Sequence, residues 1–148
     1  MKTEAKLLTI TLLGKPRGKQ RPRVTRRGIT YTPKETVNYE TALRMEAAAT
    51  MLQEKRKPYE GPLQVSVDAY FPVAASWPKK MRMAALNGYL RYTKKPDADN
   101  ILKMLDALNG VVWGDDVQIV HATVIKYYSD QPRLVVTVYP LAPVEETR

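Results

Sequence analysis

Five of the chain's fifteen acidic residues lie in one stretch, between Lys94 and Gln118. The stretch reads KKPDADNILKMLDALNGVVWGDDVQ. At 100° per residue, its middle part predicts a short amphipathic helix with an apolar face. That face carries Ile101, Met104, Leu105 and Leu108. The opposite face carries Asp99, Lys103 and Asp106. Such a segment has to cover a hydrophobic core with one side while its charged side opens to solvent.

Acidic residues also lie on both flanks of this helix. Because Pro96 favours an extended conformation before it, Asp97 and Asp99 can point to the same side of an extended segment. Asp99 or Asn100 is then expected to be the N-cap. After the Asn109-Gly110 stop signal, Gly114–Asp116 predicts a turn that returns a carboxylate towards the first pair.

Carboxylates that converge in this way suit a hard cation. Mg²⁺ binds through one or two carboxylates and leaves coordination positions for phosphate oxygens, and two such ions can clamp an in-line displacement. Lys103 beside them could stabilise charge in the transition state. Taken alone, Asp97 and Asp99 could simply cap a helix, and Asp115 and Asp116 could simply form a turn. Their coincidence around one helix favours a metal site that cleaves a polyanion.

The rest of the chain is strongly basic, with 24 Lys and Arg residues and a formal net charge of +9. This charge suits nucleic acid or an anionic membrane as a partner. Seven cations fall within thirteen residues that contain no acid: Lys15, Arg17, Lys19, Arg21, Arg23, Arg26 and Arg27. Interspersed Gly and Pro predict a loop, which could contact a phosphate backbone. The alternative is a solvated charge run without a partner.

Several other chemistries are excluded by composition and spacing. The chain has no cysteine and one histidine, His121, so a thiolate site, a His-rich zinc site or a serine triad is not expected. The sequence GKPRGK from Gly14 has the wrong spacing for a P-loop and is followed by Gln20. The run that starts at Asp97 lacks the Gly and terminal Glu of an EF-hand. His121 is assigned no role, and Trp113 is expected in the core.

Periodicity predicts one α+β domain over residues 1–148, with a polar tail at about 141–148. The expected sheet is mixed or antiparallel, with about four main strands packed by helices. These strands are expected at 7–13, 63–71, 117–128 and 133–139, the last two as an antiparallel hairpin. Thr32 should cap a helix to about Lys55, Ser76 one from Trp77 to Asn87, and Val24–Thr32 should form a hairpin. No apolar run is long enough for a membrane span, so we expect a soluble, cytoplasmic protein.

The acidic stretch resembles the RusA family of Holliday junction resolvases. The resemblance rests on KPDADN from Lys95, on Lys103, on DALNG from Asp106, and on Trp113 with DDVQIV from Asp115. The segments GKQRPR from Gly18 and YTP from Tyr31 are similar to the basic N-terminal part of phage-type members. The matches span roughly residues 14 to 138. One spacing differs, because Lys103 and Asp106 are three residues apart where the family pattern has four.

The resemblance implies that Asp97, Asp99 and Asp116 bind the metal and that Lys103 is the catalytic lysine. It also implies a RusA-like fold, a Mg²⁺ cofactor with Mn²⁺ possible, and a homodimer that nicks four-way junctions symmetrically in DNA recombination and repair. Two other functions remain open from the residues alone. One is a non-catalytic, architectural DNA-binding protein, and the other is a metal-dependent nuclease that acts on flap or RNA substrates.

Overall fold

A computed structural model describes residues 7–141 of the chain. They form a four-stranded sheet, a two-stranded hairpin, three α-helices and two short 3-10 helices. The predicted α+β class with about four main strands is therefore confirmed. The predicted polar tail lies, apart from Leu141, outside the described residues.

The strands of the main sheet are β1 (Leu8–Leu13), β4 (Leu63–Pro72), β5 (Ile119–Ser129) and β6 (Arg133–Pro140). Their order across the sheet is β1-β6-β4-β5. β4 pairs parallel with β5 and antiparallel with β6, and β6 also pairs antiparallel with β1. The sheet is therefore mixed, with β5 at one edge.

The predicted hairpin of β5 and β6 is wrong, because β4 lies between these two strands. β4 buries alternate residues from Leu63 to Phe71, as a central strand does, whereas β5 is largely exposed over its first half. The link between β5 and β6 holds only residues 130–132. Three extended residues reach about 10 Å, which is roughly two strand spacings, so this link can cross the end of β4.

Helix α1 (Lys34–Gln53) packs on the sheet through a stripe that recurs every three or four residues. The buried members of the stripe are Thr36, Tyr39, Leu43, Ala47 and Met51. The helix begins later than predicted, because Pro33 and not Thr32 is the N-cap, and no side chain caps it. It also ends two residues before the predicted Lys55.

Helix α2 (Lys79–Leu86) likewise starts two residues after the predicted Trp77, with Pro78 and not Ser76 at its N-cap. Proline has no side-chain oxygen to accept from the first N–H groups of a helix, so neither α1 nor α2 has a side-chain cap. The predicted hairpin is confirmed, since β2 (Arg23–Val24) pairs antiparallel with β3 (Thr30–Tyr31). Gly28 makes this turn possible with a φ of +79°.

The core lies between α1, the acidic stretch and the inner face of the sheet. The predicted apolar face is confirmed, because Ile101, Met104, Leu105 and Leu108 are all buried. Trp113 is fully buried, as predicted, and its indole Nε1 donates a 2.7 Å hydrogen bond to Asn109 Oδ1. Among residues 7–141, no helix has both the length and the apolar character needed to span a membrane.

Candidate functional site

The acidic stretch forms much of the connection between the parallel strands β4 and β5. It begins with α3 (Ala98–Leu102), a helix of five residues. Its N-cap is Asp97, whose carboxylate accepts a 2.8 Å hydrogen bond from the Asn100 backbone N–H. The predicted caps, Asp99 and Asn100, are therefore wrong. Asp99 lies in the first helical turn and not on an extended segment, because the helix is already capped at Asp97, two residues earlier.

Asp99 and Lys103 form an ion pair one helical turn apart. Lys103 Nζ lies 3.2 Å from Asp99 Oδ2, which confirms that the two residues share a face. Both side chains are more than half exposed, so water screens the pair and it adds little to the stability of the fold. Its exposure leaves both groups accessible from solvent.

From Lys103 the helix tightens into a 3-10 helix, Lys103–Leu108. In a 3-10 helix, residues three apart eclipse one another. Asp106 therefore lies on the same side as Lys103, more closely aligned than an α-helix would place it. Met104, Leu105, Ala107 and Leu108 remain buried in this segment.

Asp106 also holds a cation from the distant basic loop. Lys19 Nζ lies 3.1 Å from Asp106 Oδ2 and 3.9 Å from Glu40 Oε1. Lys19 was predicted to contact DNA, but here its ammonium group is engaged by two carboxylates of the protein. It links the loop to both α1 and the acidic stretch.

The second acidic pair begins a further 3-10 helix, Asp116–Gln118. Asp115 is its N-cap and forms a capping box with Gln118. The Gln118 side-chain amide also donates 3.0 Å hydrogen bonds to the carbonyl oxygens of Tyr59 and Gly61. Gln118 thus fixes the turn that carries Asp116 against the start of β4.

Asp116 lies against two other carboxyl groups. The pKa of Asp116 is raised to about 6. The largest cause is a hydrogen bond shared with Asp106, and the second is one shared with Asp115. Adjacent carboxylates repel each other when both are ionised. A bound cation would relieve that repulsion without a proton.

The structure thus brings Asp99 to Lys103 and Asp106 to Asp116. It does not gather Asp97, Asp99 and Asp116 at one point: among the described residues no three acidic or histidine side chains are arranged to hold a metal ion. The donor groups are carboxylate oxygens only, which is the chemistry that Mg²⁺ or Mn²⁺ prefers. This donor set fits a hard divalent cation, and the three aspartates remain the predicted ligands.

Lys126 was not predicted to take part in this region. It lies on β5, donates a 2.7 Å hydrogen bond to the Lys94 carbonyl oxygen and sits 5.1 Å from the centre of the Tyr92 ring. Burial lowers its pKa, and the nearby charge of Asp97 opposes that effect. The signal in the sequence was its alternation with Val124 and Tyr128, which both pack against the core.

The basic loop is held against the start of α3. The Lys19 backbone N–H donates a 2.8 Å hydrogen bond to the Asn100 carbonyl oxygen. Next to it, Gly18 packs so closely that an added Cβ would lie 2.6 Å from Pro96 Cβ and 3.0 Å from Asn100 Cβ. On the other side, Gln20 is hydrogen bonded to the buried Thr36 hydroxyl.

This close approach predicts that Gly18→Ala moves the loop away from α3. A Cβ at that distance from another Cβ cannot be accommodated without a backbone shift, and such overpacking costs about 1–3 kcal/mol. We expect a lower melting temperature and faster tryptic cleavage after Arg17 and Lys19. Unchanged cleavage rates at both residues would contradict this expectation.

Comparison with known proteins gives two matches. Residues 14–139 match a family model described as Endodeoxyribonuclease RusA. A curated relative, the uncharacterized protein YqaN of Bacillus subtilis (strain 168), is 42% identical over 81 residues, which is 53% of this chain. The matched region spans 57% of the length of that relative.

Proposed function

The chain belongs to the RusA endodeoxyribonuclease family, and on that premise we propose that it resolves four-way DNA junctions by metal-dependent nicking of two opposing strands. The resemblance drawn from the acidic stretch is thereby confirmed at the level of the family. The junction as substrate, the identity of the metal and the roles of single residues are parts of the proposal.

The observation that carries the proposal is the contact between an acidic segment and a basic loop. Asp97, Asp99 and Asp116 lie on one connection of the sheet, and the loop from Lys15 to Arg27 meets that connection at Gly18. A phosphodiester bond needs cations to hold its backbone and carboxylates to hold a metal beside it. The contact of the basic loop with the segment that carries these aspartates supports the proposal.

In the proposed mechanism, Asp97, Asp99 and Asp116 would hold Mg²⁺, or Mn²⁺ in its place. The bound ion would activate the attacking water and offset charge on the phosphate oxygens. Lys103 is exposed beside Asp99 and stabilises negative charge that grows on the reacting phosphate. The arginines of the loop hold neighbouring phosphates, which fixes the strand before it is cut. A reducing cytoplasm, where cellular DNA lies, suits this cysteine-free chain.

The direct test compares three labelled substrates: a four-way junction, a linear duplex of the same sequence and a flap. Each is incubated with protein and Mg²⁺, Mn²⁺ or EDTA. We expect paired nicks in the junction alone, only with a divalent cation. Preferential cutting of the flap would favour the flap-nuclease alternative, and tight binding without cleavage under every condition would favour an architectural protein.

The proposal also predicts a two-fold dimer, because each chain supplies one set of candidate residues while resolution requires two nicks. A dimer would present two identical sites to a substrate with matching symmetry. Light scattering should give about twice the 16.8 kDa mass of the chain. Mixtures of wild-type and Asp99→Asn chains should produce singly nicked junctions. A protein that stays monomeric on DNA and still makes paired nicks would overturn this prediction.

A further inference from the structure

A cavity of about 610 Å³ lies between the basic loop and the start of the acidic stretch. One wall is the loop from Lys15 to Arg21, and the other is the segment from Lys95 to Asn100, including Asp97. Of the three predicted metal ligands, Asp97 lines the cavity, whereas Asp99 and Asp116 do not. The cavity is large enough for a phosphate group with part of its nucleotide.

The charge of the lining favours an anion. Five cationic residues line the cavity: Lys15, Arg17, Lys19, Arg21 and Lys95. Two acids oppose them, Glu35 and Asp97, and Lys19 is already paired with Asp106 and Glu40. Four cations that make no described ion pair therefore face two carboxylates, which leaves an excess of positive charge.

The walls are fixed before any ligand binds. The hydrogen bond from Lys19 to Asn100, the close packing of Gly18 on Pro96 and the link from Gln20 to buried Thr36 hold the loop at three successive residues. A site that is already formed binds its ligand without first having to order a loop. Arg26 and Arg27 lack this support, because they lie in the exposed turn between β2 and β3.

We propose that this cavity binds a phosphodiester of the substrate strand next to the one that is cleaved. The bound phosphate contacts Arg17 and Arg21, and Lys19 acts as a positioning residue that holds the wall. Because Asp97 lies on the opposite wall, the cavity fixes how far the held phosphate is from the predicted metal ligands. This inference rests on the proposed nuclease function for the identity of the strand, but the binding itself requires neither metal nor catalysis.

The test uses tetrathymidylate in EDTA, a short single-stranded probe that supplies phosphodiesters but no cleavage. Affinity is measured by amide chemical-shift titration for wild type, for Arg17→Ala/Arg21→Ala and for the charge-matched control Lys79→Ala/Lys80→Ala, which removes two exposed cations from α2. The cavity variant should bind about tenfold more weakly, while the control changes by less than about twofold. The slope of log affinity against log salt should become shallower by about 0.7 for each phosphate that the variant no longer neutralises.

In wild-type protein, the amides of Gly18 and Asn100 should shift most as the probe is added, which tests the cavity without any substitution. Equal losses of affinity in the two double variants, or shifts confined to the β2–β3 turn, would overturn the inference. If the nuclease proposal fails but this inference holds, tetrathymidylate still binds in the cavity while no DNA is cut with any metal. Amide spectra of the free variants show whether each one is folded.

Discussion

Replacing Asp97, Asp99 or Asp116 by Asn should lower junction cleavage by at least about 10³-fold. Loss of even an outer partner of a metal ligand costs about 10- to 100-fold, so loss of a ligand itself should cost more. The change keeps the size of the side chain and removes its charge. Junction binding should survive or improve, because less negative charge then faces the DNA. Single-turnover cleavage and binding in EDTA measure the two effects separately.

Asp130→Asn is the matched control, because Asp130 is an exposed acid in the short link between β5 and β6 and is not one of the predicted ligands. It should cleave at the wild-type rate. Asp106→Asn is also informative, since Asp106 contacts both Lys19 and Asp116. Wild-type cleavage by all three ligand variants would show that the metal does not bind to the acidic stretch.

The second large effect is expected from Lys103→Ala. Removal of a group that stabilises charge in the transition state typically costs about 10²- to 10³-fold in rate. The single-turnover rate at saturating junction should fall by that factor, while the dissociation constant changes by only a few fold. Lys103→Arg should restore part of the rate, because it keeps the positive charge.

The control for this variant is Lys80→Ala, which removes an exposed lysine from α2. It should leave the single-turnover rate unchanged. If Lys103→Ala instead weakens binding and the bound junction is cut at the normal rate, Lys103 is an anchor for DNA and has no part in the chemical step.

Sequence patterns were most informative where burial repeats with a fixed period. The alternation from Leu63 to Phe71 and the apolar face from Ile101 to Leu108 both predicted buried surfaces correctly. Periodicity shows which side of an element is buried, but it does not reveal its neighbour. That is why β5 and β6, adjacent in the chain and both rich in β-branched residues, were wrongly paired with each other.

The sequence indicated which residues belong to the candidate site, but it did not indicate which contacts they make. The spacing of Asp97, Asp99 and Lys103 indicated a shared surface region, whereas the cap at Asp97 depends on a side-chain rotamer that no spacing reveals. The change to a 3-10 helix at Lys103 was also hidden, and it determines where Asp106 points. Lys19 reaches Asp106 across 87 positions of the chain, and such a pairing becomes visible only once the fold is known.

The parallel pairing of β4 with β5 has a consequence for how the protein folds. These strands can pair only after the chain has closed a loop over residues 73–118, and long loops of this kind form slowly. Strands β1 and β6 lie even further apart in the chain, so the sheet has few local contacts with which to begin. Because Asp97 to Asp116 lie inside the β4–β5 loop, a nascent chain should acquire its acidic site late. Folding intermediates would then carry the basic loop without a competent site, and they could associate with DNA without cutting it.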